Sequence, residues 1–85
     1  MWVRPEEHRA VGQALADLRR RAGVTQGEAA RRLGKPQSFI SAYESGQRRV
    51  DILELLLIVA ALQGDPMAVF QDILARREQT DGAAR

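Results

Sequence analysis

Residues 26–45 form the unit that most constrains the fold. Its small and aliphatic residues lie at set positions, with Ala30 fifth, Gly34 ninth and Ile40 fifteenth. Two short helices that cross steeply bring their backbones together, so only a small side chain fits at the crossing. The turn between them needs a positive φ, which glycine adopts without a Cβ penalty. The second helix needs an aliphatic side chain facing the first, so the pattern predicts a tight helix-turn-helix.

The same spacing separates the residues of the unit into an inner and an outer set. The inner set should share one core and consists of Ala30, Leu33, Ile40 and Tyr43. The outer set should face away from that core and consists of Gln37, Ser38, Ser41 and Ala42. We expect the two helices to span 25–33 and about 36–45, and Thr25 and Glu28 have the spacing of a capping box.

Glycine and proline divide the rest of the chain into helices. Four glycines follow apolar-periodic stretches, as a helix C′ residue does: Gly23, Gly34, Gly46 and Gly64. Few residues are β-branched or aromatic and none of the chain alternates with period two, so strands are not expected. Five helices are predicted, of which the other three begin near Pro5, Asp51 and Asp65.

Two of these helices have a predicted apolar face. That of the first helix consists of Val11, Leu15, Leu18 and Ala22. That of the fifth helix consists of Met67, Phe70, Ile73 and Leu74. Gly12, inside the first helix, should cost about 1 kcal/mol relative to alanine, so we expect a close contact there. Residues 1–79 are predicted to form one domain, followed by a frayed tail over 80–85.

The fourth helix, from about Asp51 to Leu62, is apolar on nearly every side. Such helices are normally buried all round, but a chain of 85 residues has little with which to cover one. The pattern therefore predicts a subunit interface. The fifth helix and the segment around Trp2 are further candidates for it.

Charge is concentrated in the middle of the chain. The segment from Arg19 to Arg49 holds eight basic and two acidic residues, whereas the remainder holds five basic and nine acidic ones. Twelve of the thirteen cations are arginine, the side chain that binds phosphate as a bidentate fork. This distribution favours nucleic acid as a partner.

The composition excludes several other classes of function. The chain has no cysteine and one histidine, which removes disulfides and thiolate metal sites and leaves little for a catalytic centre. We expect no enzyme activity, no cofactor and no metal. The longest apolar run, Leu55 to Leu62, is too short to span a bilayer. A cytoplasmic protein is the expectation.

Several segments together resemble the Cro/phage-repressor type of helix-turn-helix protein, also called the XRE family. The matching segments are Leu15–Arg19, Gly23–Gln26, Leu33–Gly34, Ile40–Ser41, Tyr43–Gly46 and Leu55–Leu62. The resemblance implies an all-α, five-helix, lambda-repressor-like DNA-binding domain. It also implies an ion pair between Arg19 and Glu44, which would tie the first helix to the end of the third.

In this family the second helix of the motif enters the major groove of DNA, a role that the resemblance gives to residues 37–45. The implied base contacts are Gln37, Ser38, Ser41 and Ala42. The implied phosphate contacts are Gln26, Lys35, Arg48 and Arg49. Glutamine can pair with adenine through two hydrogen bonds, serine discriminates less, and a methyl group suits the thymine methyl.

Two functions remain open from the sequence. The first is a sequence-specific transcriptional regulator, a repressor for example, that binds a palindromic operator as a homodimer. The alternative is an antitoxin-like interaction module whose apolar C-terminal helices bind a heterologous protein, with autoregulatory DNA binding.

Overall fold

The computed structural model describes residues 3–83, and the side chains of residues 3–78. Its five helices are α1 (Pro5–Arg21), α2 (Gln26–Leu33), α3 (Gln37–Glu44), α4 (Ile52–Ala61) and α5 (Pro66–Ala83). The described residues contain no strand, so the all-α, five-helix prediction is confirmed. Of the tail predicted over 80–85, residues 80–83 are helical backbone. Residues 84–85 and Trp2 lie outside the described residues.

Side-chain caps start three of the helices, and at α5 Asp65 Oδ1 accepts a hydrogen bond from the backbone N–H of Met67 at 3.1 Å. Thr25 Oγ1 accepts a hydrogen bond from the backbone N–H of Glu28 at 3.0 Å. The capping box predicted there is only half formed, because the Glu28 carboxylate accepts from Arg31 and Arg32 instead. The complete box is at α4, where Asp51 Oδ1 accepts from the Glu54 N–H at 2.8 Å and Glu54 Oε1 accepts from the Asp51 N–H at 3.1 Å.

The core lies where α1, α3 and α4 meet. Its largest fully buried side chains are Leu15, Ile40, Tyr43, Ile58 and Val59. The inner set of the motif is confirmed, with Leu33 only partly buried at its edge. A Cβ built on Gly12 would lie 2.2 Å from the carbonyl oxygen of Tyr43. Backbone therefore packs directly against backbone between α1 and α3, as expected of this glycine.

The turn between α2 and α3 has the predicted geometry. Gly34 has a φ of 64°, and the Lys35 N–H donates to the Ala30 carbonyl at 3.0 Å. The prediction was wrong at the end of α4, where Gln63 and not Gly64 has the positive φ, 57°. A Cβ on Gly64 would lie 2.8 Å from Leu18 Cδ2. Close approach to α1 therefore explains this glycine.

Two predicted apolar faces need correction. Ala22 is exposed because it is the C-cap residue of α1, where the chain turns away from the core. On α5 the buried residues are Val69 and Ile73. Ile73 was predicted, but the other members of that face are exposed: Met67, Phe70 and Leu74.

Ion pairs join α5 to α1. Arg76 shares a helix face with Val69 and Ile73, and it binds both Asp17 of α1 and Asp72 of α5. Arg77 Nη2 lies 2.6 Å from Glu7 Oε1. The first cause of the lowered pKa of Asp17 is its hydrogen bond from Arg76. Arg76 thus pairs with α1 on the same side of α5 that buries Val69 and Ile73, and Met67, Phe70 and Leu74 lie outside.

No single helix within residues 3–83 is long and apolar enough to cross a membrane. By length and composition alone, α4 and residues 66–78 together would be long and apolar enough, but these two segments meet at a bend of 119°.

Candidate nucleic-acid interface

The first residues of α2 and α3 touch each other. Gln37 Nε2 donates a hydrogen bond to Gln26 Oε1 at 3.3 Å. Gln26 Nε2 in turn donates to Glu44 Oε1, at the end of α3, at 2.9 Å. The two amides thus join both helices of the motif at the edge where their N-termini converge.

Glu44 is anchored from the other side by Arg19 of α1. Arg19 Nε lies 2.6 Å from Glu44 Oε2, and its Nη2 lies 3.1 Å from Oε1. Arg19 Nη1 donates to the Val24 carbonyl at 2.8 Å. The arginine is only 8% exposed, and its hydrogen bond to Glu44 raises the pKa of the guanidinium. The ion pair between α1 and the end of α3 is confirmed.

These contacts form one hydrogen-bond chain, which runs from Arg19 through Glu44 and Gln26 to Gln37. It begins in the protein interior and ends at an exposed amide. Removing either member of a buried ion pair leaves an uncompensated charge, at a cost of about 3–5 kcal/mol. The anchored end of the chain is therefore rigid, and Gln37 is held at its outer end.

The two faces of α3 differ in burial. Gln37, Ser38 and Ser41 are exposed, and Ala42 is half-buried. On the opposite face Tyr43 is fully buried, and burial raises the pKa of its hydroxyl to about 12. The exposed face thus carries an amide, two hydroxyls and one methyl group.

The amide of Gln37 keeps hydrogen-bonding capacity beyond its contact with Gln26. A glutamine amide has two N–H donors and an oxygen with two lone pairs. With one N–H engaged, the second N–H and the oxygen can still serve N7 and the N6 amino group of adenine in the major groove.

Of the residues predicted to contact phosphate, Gln26 lies within the hydrogen-bond chain. Lys35 and Arg49 are exposed and flank α3 in the chain. Pro36, the N-cap of α3, offers no side-chain acceptor to the first N–H groups of the helix. Such groups form a ready site for a phosphate oxygen.

Arg48 is placed differently from its neighbour. Its Nη1 and Nη2 lie 3.1 and 2.7 Å from the two carboxylate oxygens of Glu54. The hydrogen bond from Arg48 is the first cause that lowers the pKa of Glu54 to about 2. Sequence reasoning missed this pair. The only signal for this pair in the sequence was the spacing of Asp51 and Glu54. That spacing is typical of a capping box and places Glu54 in the first turn of α4.

Arg31 and Arg32 contribute to the fold as well as to the basic surface. Both bind Glu28, at 2.5 and 2.9 Å, and they lower the pKa of that carboxyl to about 2. Arg32 Nη1 also donates to the Ala61 carbonyl at 2.9 Å, which joins α2 to the end of α4. Their spacing of three and four residues from Glu28 predicts the pairing, whereas the contact to Ala61 has no sequence signal.

A groove of about 230 Å³ opens beside α3. Its lining consists of Leu33, Lys35, Phe39, Glu54, Leu57 and Ile58. Within the described residues, no three His, Asp or Glu side chains are grouped so that they could hold a metal ion.

Known proteins share this arrangement. The helix-turn-helix family HTH_3 matches residues 15–67, from the second half of α1 to the start of α5. An XRE-family like protein from Pseudomonas syringae pv. tomato is 37% identical, with a TM-score of 0.73 over 82% of this chain and 85% of that one. None of the curated proteins matches the chain.

Two solved regulator structures are also similar. The clp gene regulator ClgR from C. glutamicum is 26% identical, with a TM-score of 0.77 over 81% of this chain and 90% of that one. The restriction-modification controller protein C.AhdI from Aeromonas hydrophila is 30% identical, with a TM-score of 0.69 over 75% of this chain and 97% of that one. The family match covers more than half of the chain, and its helix-turn-helix presents a polar face anchored from within. The chain belongs to the XRE family of helix-turn-helix proteins and is a DNA-binding transcriptional regulator, not an enzyme.

Proposed function

We propose that this regulator reads a palindromic DNA site as a homodimer, with α3 of each protomer in the major groove. The observation that carries the proposal is the hydrogen-bond chain from Arg19 to Gln37. It fixes an exposed amide at the start of a helix whose opposite face is buried. Side chains at that end of a recognition helix meet base edges.

The proposed base contacts follow from the exposed face of α3. Gln37 pairs with adenine, Ser38 and Ser41 donate or accept hydrogen bonds, and the methyl group of Ala42 packs on a thymine methyl. Buried Ile40 and Tyr43 hold the opposite face in the core, so the four contacts move as one rigid surface.

The proposed phosphate contacts surround that face. Gln26 lies at the start of α2, where backbone N–H groups also favour an anion. Lys35 precedes α3 and Arg49 follows it, so their charges border the helix at both ends. Arg48, the fourth residue that the resemblance assigns to phosphate, is engaged by Glu54.

The slope of log affinity against log salt concentration tests these phosphate contacts. Lys35→Gln and Arg49→Gln should each lower the magnitude of the slope by about 0.9 and weaken binding to all duplexes alike. Arg77→Gln is the matched control, because it removes the same charge from α5, where Arg77 binds Glu7. A slope that responds to Arg77→Gln and not to the other two variants would place the phosphate surface elsewhere.

Selection of bound fragments from random duplex DNA tests the proposed function as a whole. We expect an enriched half-site that occurs as an inverted repeat, with its two centres about 34 Å apart, one turn of DNA. Failure to enrich any sequence would contradict sequence-specific reading. Enrichment of a single, unrepeated half-site would contradict reading as a dimer.

Two exposed apolar stripes support the homodimer. On α4 the stripe lies opposite the buried Leu55 and Ile58, and it consists of Ile52, Leu53, Leu56 and Leu57, which are 44–68% exposed. On α5 it consists of Met67, Phe70 and Leu74, which are 39–65% exposed. Apolar residues on a monomer surface are normally scattered singly. Together the seven large residues on these two helices expose an apolar area of the order of the ~800 Å² that each protomer contributes to a stable interface.

A second copy is the occupant we assign to these stripes, because a two-fold symmetric site requires two copies of α3 in a fixed relation. Sedimentation equilibrium should show a dimer for the wild type and a monomer for Leu53→Glu. Gln13→Glu is the control, since it adds the same charge at an exposed polar position of α1, outside both stripes, and should remain dimeric. A monomeric wild type, with and without the selected DNA, would contradict the homodimer and favour the interaction module.

A further inference from the structure

We propose that Arg48 is a positioning residue, which fixes the orientation of α3 through Phe39 while Glu54 holds it in place. The effect on DNA reading rests on the proposed function, whereas the effect on α3 itself does not. The role differs from the phosphate contact that the resemblance implies for Arg48.

The guanidinium of Arg48 joins three parts of the fold. Its Cζ lies 4.5 Å from the centroid of the Phe39 ring, within the range of a cation–π interaction. Its two Nη atoms bind both oxygens of Glu54 on α4, and Nη1 also donates to the Arg49 carbonyl at 2.8 Å. One side chain thus links α3, the α3–α4 loop and the first turn of α4.

Phe39 is the residue through which Arg48 acts on the helix. Its ring stands edge-on to the buried ring of Tyr43, with centroids 5.7 Å apart and planes at 80°. Phe39 also lines the open groove beside α3, so packing alone does not enclose its ring. Arg48 lies closer to this ring than Lys35, whose Nζ is 5.6 Å from the centroid, and Ser38 is the preceding residue on the same helix.

Glu54 is itself a firm anchor. It completes the capping box at the start of α4, so its carboxylate is held by the Asp51 N–H as well as by Arg48. The backbone N–H of Arg48 donates to the Ala42 carbonyl at 3.1 Å, which ties the same residue to the end of α3. Three of the five guanidinium N–H groups are used in these contacts, so a phosphate could meet Arg48 only at Nε and at the second N–H of Nη2.

Glu54→Gln separates the two roles of Arg48, because positioning of α3 predicts weaker binding to the selected site and contact with phosphate predicts tighter binding. Glutamine still suits this position of a capping box, but it removes the charge that holds Arg48. If Arg48 positions α3, then Glu54→Gln and Arg48→Gln should each lower the ratio of affinity for the selected site to that for random duplex, by about three- to tenfold. The double variant should lose no more than either single one, since both changes break the same contact.

If Arg48 instead contacts phosphate, Glu54→Gln should tighten binding to both duplexes, because it releases the arginine. Arg48→Gln should then weaken both equally, leave the ratio unchanged and lower the salt slope by about 0.9. That pair of results would overturn the proposal. Arg49→Gln is the matched control for loss of one exposed positive charge and should leave the ratio unchanged.

Amide hydrogen exchange of the DNA-free protein provides a readout that does not depend on DNA reading. Glu54→Gln and Arg48→Gln should both speed exchange in α3 relative to α1 by about three- to tenfold, whereas Arg49→Gln should not. Unchanged exchange in α3 would contradict the proposal. A wild type that selects no DNA site would contradict the proposed function alone, and the exchange rates would still decide the role of Arg48.

Discussion

The side-chain amide of Gln37 is hydrogen-bonded to that of Gln26, with Nε2 3.3 Å from Oε1. The residue proposed to read a base is therefore held by the residue proposed to contact phosphate. Gln26 is held by Glu44, and Glu44 by the buried Arg19. The same chain of contacts thus couples the position of Gln26 on the DNA backbone to the orientation of the Gln37 amide.

A double-mutant cycle on Gln26 and Gln37 should measure this coupling. Each alanine variant should weaken binding to the selected duplex, and the loss in the double variant should differ from the sum of the single losses by about 0.5–3 kcal/mol. The reference cycle pairs Gln37 with Gln71, an exposed glutamine of α5, and should be additive. Additivity in both cycles would mean that Gln26 does not orient Gln37.

The close approach of α1 and α3 leads to a stability prediction for Gly12. A Cβ there would lie 2.2 Å from the Tyr43 carbonyl oxygen and 2.7 Å from that of Glu44. Gly12→Ala should therefore lower the free energy of unfolding by about 3 kcal/mol or more, because both neighbours are backbone atoms that cannot move aside singly. Urea unfolding followed by circular dichroism measures it.

Gly27→Ala is the matched control for Gly12→Ala. Gly27 also lies inside a helix, but the nearest atom to its Cβ would be Thr25 Oγ1 at 3.9 Å. This substitution should raise the free energy of unfolding, by up to about 1 kcal/mol, because alanine favours the helix. Equal effects of the two substitutions would contradict backbone contact at Gly12.

The ion pair of Arg48 with Glu54 makes stability depend on pH. The pKa of Glu54 in the folded protein is about 2, compared with 4.5 for the ordinary side chain. A lowered pKa stabilises the folded state at pH values above 4.5, and this contribution is lost as the pH falls from 4.5 toward 2. The destabilisation caused by Glu54→Gln should therefore be largest at pH 7 and shrink steadily below pH 4.5.

Urea unfolding of the wild type and of Glu54→Gln at pH 7 and pH 3 checks this dependence. Glu28→Gln should behave in the same way, because Arg31 and Arg32 lower the pKa of that carboxyl to about 2 as well. A difference between wild type and Glu54→Gln that stays constant across this pH range would show that the ion pair does not stabilise the fold.

The helix-turn-helix could be predicted from sequence because its determinants are local. Ala30, Gly34 and Ile40 define the crossing of two short helices within a few turns of chain. The exposed face of α3 follows from the same spacing, so the exposed Gln37 and Ser38 were found without a structure. Positions within one helix are fixed by its period, and burial of one face defines the other.

Contacts between distant parts of the chain could not be predicted in the same way. Arg32 reaches the Ala61 carbonyl, 29 residues away, and Arg76 reaches Asp17, 59 residues away. Nothing in the period of either helix indicates these partners. The buried face of α5 was predicted wrongly in part for this reason, because the pairing of Arg76 with Asp17 lies on the side of the helix that faces α1 and has no sequence signal.

The affinity of Gln37→Ala for selected and for random duplex DNA tests the central claim most directly. We expect the variant to lose about 1–3 kcal/mol on the selected site and little on random duplex, because a lost base contact affects only the sequence it reads. Gln71→Ala should leave both affinities unchanged. A ratio of the two affinities that is the same for Gln37→Ala and for the wild type would contradict reading of DNA by the start of α3.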